Sequence, residues 1–291
     1  MVARDLVHII GATGRSGLAL CKALTQLNSP IQPVIRNQNH WKTQDFPTAQ
    51  KALIADLDGP PSLLAQALEG ARSIVSTAHA RHIPQILAAG PKDATYIFLG
   101  STRKYTHWPD AHGKGVIAGE KAFLQSNQKG VLLHPTMIYG AEGENNVQRL
   151  AQLLKILPII PLPKKGQSLI QPIYQSDVTK AMIHALSIEW SKPESLVIAG
   201  PKAISYADFV HAICRAATLP QRPIISIPPW VLVQLAKLSR FIPVLPTISP
   251  AEVQRLMEDK AFDITPMQEK LQFTPISLQE GLAKLYPRER G

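Results

Sequence analysis

The sequence predicts an α/β chain, a doubly wound parallel sheet with a smaller, mostly helical C-terminal lobe. Three observations carry that expectation. Short apolar runs recur through the first two thirds of the chain, separated by stretches of helical spacing or by turns. The first of these runs enters a turn punctuated by Gly11, Gly14 and Gly17, and a helical pattern follows. Toward the C-terminus, helix-start signatures replace the strand patterns. Strands that alternate with helices pair in parallel, because a parallel neighbour is reached only by a crossover over the sheet face.

The first strand is expected over 6–10. In the turn after it, Gly11 permits the tight bend, Gly14 lets the backbone approach an anion, and Gly17 lets helix and strand pack closely. Leu20, Ala23, Leu24 and Leu27 then share one helical face, which stops at Asn28, Ser29 and Pro30. The free amides and positive dipole end of such a helix suit a diphosphate. This is the pattern of a Rossmann-type dinucleotide site, with Gly11, Thr13, Gly14, Arg15, Ser16 and Gly17 as its first candidates.

Strand two is expected over 31–35, ending at Arg36 and Asn37, and strand three over 52–55, ending at Asp56. A helix over 61–68 leads to strand four over 73–76, which runs out at Thr77 and Ala78. A helix near 83–89, strand five over 95–99, a helix over 115–124 and strand six over 131–133 follow. Beyond Gly140 the rhythm changes, with a helix over 147–157 and a proline-punctuated loop over 158–163. A helix over 176–186 carries Val178, Ala181, Met182 and Ala185 on one face, and 195–198 returns to the sheet as a last strand. Segments 205–208, 249–252, 265–268 and 277–280 each read as a capping box at a helix start. The expected organisation is a dinucleotide-binding domain over 1–140, completed by 171–200. Segments 141–170 and 201–291 form a substrate or partner lobe.

Composition narrows the function classes. Hydrophobic residues at 45% and charged residues at 18% describe a chain that buries a core, which excludes a disordered one. The net charge of +10 raises nucleic acid as a partner, but the lysines and arginines are dispersed with no basic run. A solvated surface plus a site for phosphate-bearing ligands explains the charge more simply. Cys21 and Cys214 lie far apart in apolar helical patterns and read as buried reduced thiols. His79 and His82 lack accompanying acidic or cysteine ligands, so no metal site is expected.

The apolar run at 6–10 is cut off by Gly11, too short for a secretory leader, and no stretch of about 18 apolar residues occurs. A cytoplasmic protein is expected. Segment 227–242 is strongly apolar yet carries Lys237 and Arg240. It reads as a buried helix, or alternatively as a peripheral membrane or partner-docking helix.

In the NAD form of this fold a carboxylate at the end of strand two binds the adenosine ribose. Arg36 and Asn37 stand there instead, with no carboxylate before Asp45. A guanidinium binds a 2′-phosphate through a planar, charge-assisted fork, so NADP(H) is favoured over NAD(H), with Arg15 assisting from the other side. Asp56 and Leu57 fall near the adenine edge, although Asp56 also reads as a plain turn aspartate.

Further motifs complete an ordered set. Gly100, Ser101 and Thr102 follow strand five, Lys121 lies on the next helix, and Pro135, Thr136, Met137, Tyr139 and Gly140 follow strand six. Residues 171–178, including Gln171 and Asp177, and residues 258–260, including Glu258 and Lys260, come later. Together these resemble the extended and atypical short-chain dehydrogenase/reductase superfamily, of the NAD-dependent epimerase/dehydratase type. Within it the chain is similar to the branch that contains the dehydrogenase-like accessory subunit of respiratory complex I.

The resemblance covers nearly the whole chain and implies a nicotinamide coenzyme. In the family's chemistry a tyrosine four residues before a lysine exchanges a proton with the substrate oxygen while hydride passes to or from nicotinamide. It implies Lys121 at the nicotinamide ribose, with Thr77, Ala78, Pro135, Thr136 and Met137 lining the coenzyme. It places Ser101 and Thr102 at the substrate carbonyl and Tyr105 in the strand-five segment. The catalytic tyrosine position is then Ile117, which cannot transfer a proton. His107, His112 and His134 are further candidate acids by residue type, although His134 stands where relatives commonly carry arginine and reads rather as a packing or nucleotide contact. Two functions stay open. One is an NADP(H)-dependent oxidoreductase or epimerase acting on a carbonyl or sugar-like substrate. The other is a non-catalytic NADP(H)-binding structural or redox-sensing protein, docked to a membrane complex.

Overall fold

The structure, a computed structural model, describes residues 5–140, 146–239 and 250–287. The chain begins β1 (Val7–Ile10), α1 (Arg15–Gln26), β2 (Ile31–Ile35), β3 (Leu53–Ile54), α2 (Pro61–Ala67) and β4 (Ser73–Ser76). It continues α3 (Ile83–Ala89), β5 (Thr95–Leu99), α4 (Ala111–Leu124), β6 (Gly130–Pro135), β7 (Ile138–Tyr139), α5 (Asn146–Ile156) and β8 (Ile160–Leu162). Next come β9 (Leu169–Ile170), β10 (Ile173–Tyr174), α6 (Gln175–Leu186), β11 (Pro193–Ile198), β12 (Ile204–Ser205), α7 (Tyr206–Ala216) and β13 (Ile224–Ser226). The last elements are α8 (Pro229–Ser239), α9 (Pro250–Arg255), α10 (Thr265–Leu271) and α11 (Leu278–Leu285).

Seven strands form one sheet in the order β11-β6-β5-β4-β1-β2-β3, all parallel. The order reverses between β1 and β4, which opens a crevice at the carboxyl ends of those strands. The inner strands bury both faces, and their alternation decides which layer a side chain enters. Val7 and Ile9 pack with Leu20, Cys21 and Leu24 of α1 and with Val178, Ala181 and Met182 of α6. Ile10, Ile74 and Phe98 face the opposite layer with Leu64, Ile86 and Phe123 of α2, α3 and α4. The lobe has its own core of Val147, Leu154, Ile160, Phe209, Val210, Ile213 and Leu282. Met267 and Leu271 of α10 join the layer of α1 and α6 instead. The buried Asp177 carboxylate accepts from the Ile276 amide at 2.9 Å, which ties the tail to α6.

Several expected boundaries are corrected. α4 begins at Ala111, four residues before the expected 115, because the Asp110 carboxylate accepts from the Gly113 amide and caps it. Gly113 and Gly115 obscure that turn in the sequence, since glycine weakens a helix signal. β6 and β11 are longer than 131–133 and 195–198, and they pair along their whole length from Pro193 with Gly130 to Ile198 with Pro135. β3 is shorter than 52–55. The proline-rich loop at 158–163 contains β8, which pairs with β13, and Pro161 is tolerated because this ribbon has only two strands.

Among the expected capping boxes, Ser277 and Glu280 form both reciprocal bonds. Ser205 accepts from the Asp208 amide. Thr265 lies inside α10, whose N-cap Ile264 gives no side-chain bond; Asp263 accepts from the Thr265 amide instead. Ser249 and residues 240–242 of the apolar segment lie outside the described residues. Where described, that segment forms α8 with Trp230 at 70% exposure and Leu232 buried against Val253. No described helix is long and apolar enough to cross a membrane. Cys21 and Cys214 are buried free thiols, and burial pushes Cys21 up to about 12.

Candidate coenzyme and substrate site

The glycine turn sits at the open crevice. Gly11 has φ +80°, its amide donates to the Val34 carbonyl, and Thr77 Oγ1 lies 3.3 and 3.2 Å from the Ile10 and Gly11 carbonyls. A β-carbon on Gly17 would stand 2.1 Å from the Gly11 oxygen, so only glycine lets α1 approach β1 this closely. The N-cap of α1 is Gly14, with no side-chain cap and no acidic residue in the first turn. Helix-start amides that no side chain occupies, at the positive end of the dipole, fit a diphosphate.

Gly14 and Arg15 are exposed and Thr13 is half-buried. Ser16 Oγ donates to Gln175 Oε1 at 3.4 Å, joining the starts of α1 and α6. Arg36 is exposed just past β2, while the Asn37 side chain is used to accept from the Asn39 amide. Asp56 Oδ1 accepts from the Asp58 amide at 3.1 Å, so Asp56 closes a turn with its carboxylate exposed. Leu57 and Ala78 pack partly buried against the layer of α2, α3 and α4.

Past β5, Ser101 and Thr102 have different freedom. Ser101 Oγ accepts from the Arg103 amide at 3.1 Å, which leaves its own proton available to a ligand. Thr102 Oγ1 donates its proton to the Pro135 carbonyl at 3.2 Å and links β5 to β6. Residues 135–137 are fixed as well. Thr136 donates from its amide to Ile198 and from its hydroxyl to Gln171, and Met137 accepts from the Ile173 amide. Tyr105 is 51% exposed, with Phe262 tilted 5.6 Å from its ring and Lys104 Nζ 4.7 Å over its face.

Beneath Ser101 lies a buried polar knot. Glu120 accepts from Lys104 Nζ, from His134 Nε2 at 3.2 Å and from Ser195 Oγ at 2.6 Å. The Ser101 amide donates to His134 Nδ1 at 3.2 Å. A proton received at Nδ1 assigns the ring's own proton to Nε2, toward Glu120, so His134 is a neutral imidazole in this arrangement. Burial pushes its pKa down. For Glu120, burial alone works upward, but the His134, Lys104 and Ser195 donors reverse it and hold the carboxyl at about 2. Burial also lowers His8, whose Nδ1 finds no partner.

These shifts predict a two-step acid response. In the folded state His8 and His134 hold protons less well than the ordinary value of 6.5, so unfolded chains take up more protons as pH falls below it. Their stabilisation is complete above 6.5 and declines as pH drops toward their folded values. Glu120 contributes above its ordinary 4.5 and loses that contribution on the way to about 2. Urea midpoints measured from pH 7.5 to 3 should fall in both windows. A flat midpoint from 7.5 to 5.5 would refute the histidine assignment.

α4 presents one stripe to the segment after β4. A β-carbon on Gly119 would lie 2.1 Å from the Ala80 oxygen and one on Gly115 2.8 Å from the His79 ring. The His112 ring meets His79 edge-on, with centroids 4.3 Å apart. At 100° per residue, Ile117 and Lys121 stand about 140° and about 180° around the helix from His112. Both are exposed. The structure thus groups Ser101, Thr102, His79 and His112 at the sheet's carboxyl edge and leaves Ile117 and Lys121 on another flank of α4.

The lobe docks beside this group. Arg103 pairs with Asp110, which lies 3.7 Å from Arg255 of α9. Glu258 accepts from Thr106 Oγ1 at 2.6 Å and from the His107 amide at 2.7 Å, with Lys260 at 3.7 Å. Sequence reasoning missed Lys104, Glu120 and Ser195. Glu120 had a signal, since it falls between Val116 and Phe123 on the apolar stripe of α4, where an unpaired charge is costly.

No family model and no curated protein matches the chain. Solved structures do. The NADPH-dependent quinone oxidoreductase QOR2 from Escherichia coli, complexed with NADPH, superposes with a TM-score of 0.76 at 17% identity, over 96% of this chain and 99% of that one. The UDP-glucuronic acid 4-epimerase from Bacillus cereus, in complex with UDP-glucuronic acid and NAD, gives 0.72 at 16%, over 97% and 98%. A nucleoside-diphosphate-sugar epimerase from Staphylococcus aureus gives 0.73 at 13%, over 96% and 99%. The chain therefore shares the fold of these oxidoreductase and epimerase structures over 96–97% of its length.

Proposed function

We propose that this chain binds NADP(H) and acts as an oxidoreductase or epimerase on a carbonyl or sugar-like substrate. The observation that carries the reading is the start of α1. It is uncapped, free of acidic residues, closed against β1 at Gly17 and set at the reversal of strand order. In this reading the amides of residues 11–17 hold the diphosphate, with Thr13 and Ser16 beside it. Arg36, assisted by Arg15, receives the 2′-phosphate. Asp56 and Leu57 border the adenine. Thr77, Ala78, Pro135, Thr136 and Met137 line the nicotinamide half.

When bound, the nicotinamide supplies or accepts a hydride. The chain's own part is orientation: Ser101 Oγ, with its proton unspent, donates to the substrate oxygen, and Thr102 holds the turn in place. Superposition on structures complexed with NADPH and with NAD supports a nicotinamide coenzyme, and the preference for NADP(H) rests on Arg36.

Calorimetry with NADPH and NADH tests the assignment. The wild-type chain should prefer NADPH, and Arg36→Asp should move that preference toward NADH by about 10-fold or more, the size of a lost charge-assisted bond. An unaltered ratio would mean that another group reads the phosphate. No heat with either coenzyme would overturn the coenzyme reading itself.

A second reading, a non-catalytic NADP(H)-binding protein docked to a partner or a membrane surface, draws on Trp230, 70% exposed at the start of α8. Slow exchange of bound coenzyme, without consumption across a panel of carbonyl compounds, would favour it.

A further inference from the structure

We propose that His112, seated against His79, is the group that exchanges a proton with the substrate oxygen. The inference rests on the coenzyme-dependent reading above and adds the acid/base residue that Ile117 cannot supply.

Geometry selects it. His134 is fully buried, with both ring nitrogens committed to Ser101 and Glu120. His107 is exposed and tied by its backbone to Glu258 of the lobe. Tyr105 lies between Lys104 and Phe262. His112 alone among these meets the segment that continues directly from Thr77 and Ala78, through its contact with His79. Its neighbour Gly113 abuts the carbonyl of Arg103, two residues past Ser101, so the imidazole stands between the coenzyme side and the substrate turn.

His79 acts as a positioning residue. Its Nδ1 accepts from the Arg81 amide at 3.0 Å, which fixes that ring and, through the edge-on contact, the ring of His112. The charged groups around His112 are His79, Arg81 and His82 after β4, Arg103 after β5, Asp110 at the α4 cap and Arg255 on α9. Burial leads in lowering the His112 pKa, Arg103 and Arg255 add to it, and Asp110 opposes them.

In the reducing direction, hydride reaches the carbonyl carbon and the electron pair of the C=O π bond moves onto oxygen. The His112 imidazolium gives that oxygen its proton and becomes neutral imidazole, to be reprotonated from water on its exposed side. Oxidation of the alcohol runs the same transfers backward, with neutral imidazole as the base. Burial, with Arg103 and Arg255, makes the imidazolium a stronger acid than free histidine, so reduction should weaken as pH rises through a value below 6.5.

The test begins with histidine-ring NMR on the full chain, signals being assigned with His112→Gln and His79→Gln. Saturating NADP+ should shift the His112 ring signal and its titration midpoint, and leave unmoved His184, at the opposite end of α6 from its contact with the start of α1. If calorimetry registers binding while His112 stays unshifted, the proposal is overturned and the coenzyme reading survives. If no binding is registered, both fall. With NADPH and 9,10-phenanthrenequinone as probe, His112→Gln should lower kcat/KM by about 10²–10⁴-fold, the usual size of general-acid assistance, and flatten the pH profile. His112→Tyr should restore part of the rate with its pH limb moved upward, toward phenol ionisation. An unchanged profile in both variants would also overturn it, and if the probe is not consumed the NMR result decides.

Discussion

Gly17→Ala is expected to raise the NADPH dissociation constant at least about 100-fold and to destabilise the chain by about 1–3 kcal/mol. The added β-carbon would lie 2.1 Å from the Gly11 oxygen, 2.8 Å from its carbonyl carbon and 2.9 Å from Thr77 Oγ1. None of these is the tip of a flexible side chain. Gly11 cannot retreat, because its amide is bonded to Val34 and its φ of +80° already defines the bend. The start of α1 must therefore move outward by more than 1 Å to reach normal contact. That displaces the amides that hold the diphosphate. Gly70→Ala is the comparison, since nothing lies within 4 Å of its β-carbon and only its φ of +68° costs energy. It should lose about 1 kcal/mol and keep full binding. Wild-type affinity in Gly17→Ala would refute the placement of the site.

Glu120→Ala carries the second large effect, a loss of about 3–5 kcal/mol read from urea unfolding. The carboxylate serves Lys104, His134 and Ser195 together, and the side chains of Lys104 and His134 are only 10% and 0% exposed. Removing it leaves a buried ammonium and a buried imidazole N–H without an acceptor, which costs more than the bonds themselves. Glu120→Gln keeps an acceptor without the charge and should fall between wild type and alanine. Because His134 also receives the Ser101 amide, both variants should loosen the turn that presents Ser101. A change below about 1 kcal/mol in Glu120→Ala would show that the knot contributes no net stability.

What was legible in the chain followed from local rules. The six strands from 6–10 to 131–133 announced themselves by apolar runs between turns, and all six lie in the sheet near the expected places. The glycine turn was readable because Gly11, at φ +80°, and Gly17, where a β-carbon would meet the Gly11 oxygen at 2.1 Å, carry demands that glycine meets. Where the reading slipped, a non-local partner made the difference. β8 forms inside a proline-rich loop because β13 lies beside it, and the first turn of α4 exists because Asp110 caps a stretch that glycine weakens. His112, one of three candidate histidines in the sequence, was not singled out there for a related reason. Reading four residues back from Lys121 gives Ile117, whereas the stripe of α4 that meets the segment after β4 is His112, Gly115 and Gly119.

By itself the sequence determined the layer architecture, the position of the glycine turn before α1 and the absence of a carboxylate at the end of β2. These are properties of residues within a few positions of one another, set by backbone sterics and side-chain period. Tertiary structure alone decided which stripe of α4 meets the segment after β4, that Glu120 gathers three donors, and that Arg255 and Glu258 meet the turn after β5. Those pairings join residues 14 to 152 positions apart. Their energies depend on burial and on a shared partner, which no local pattern encodes.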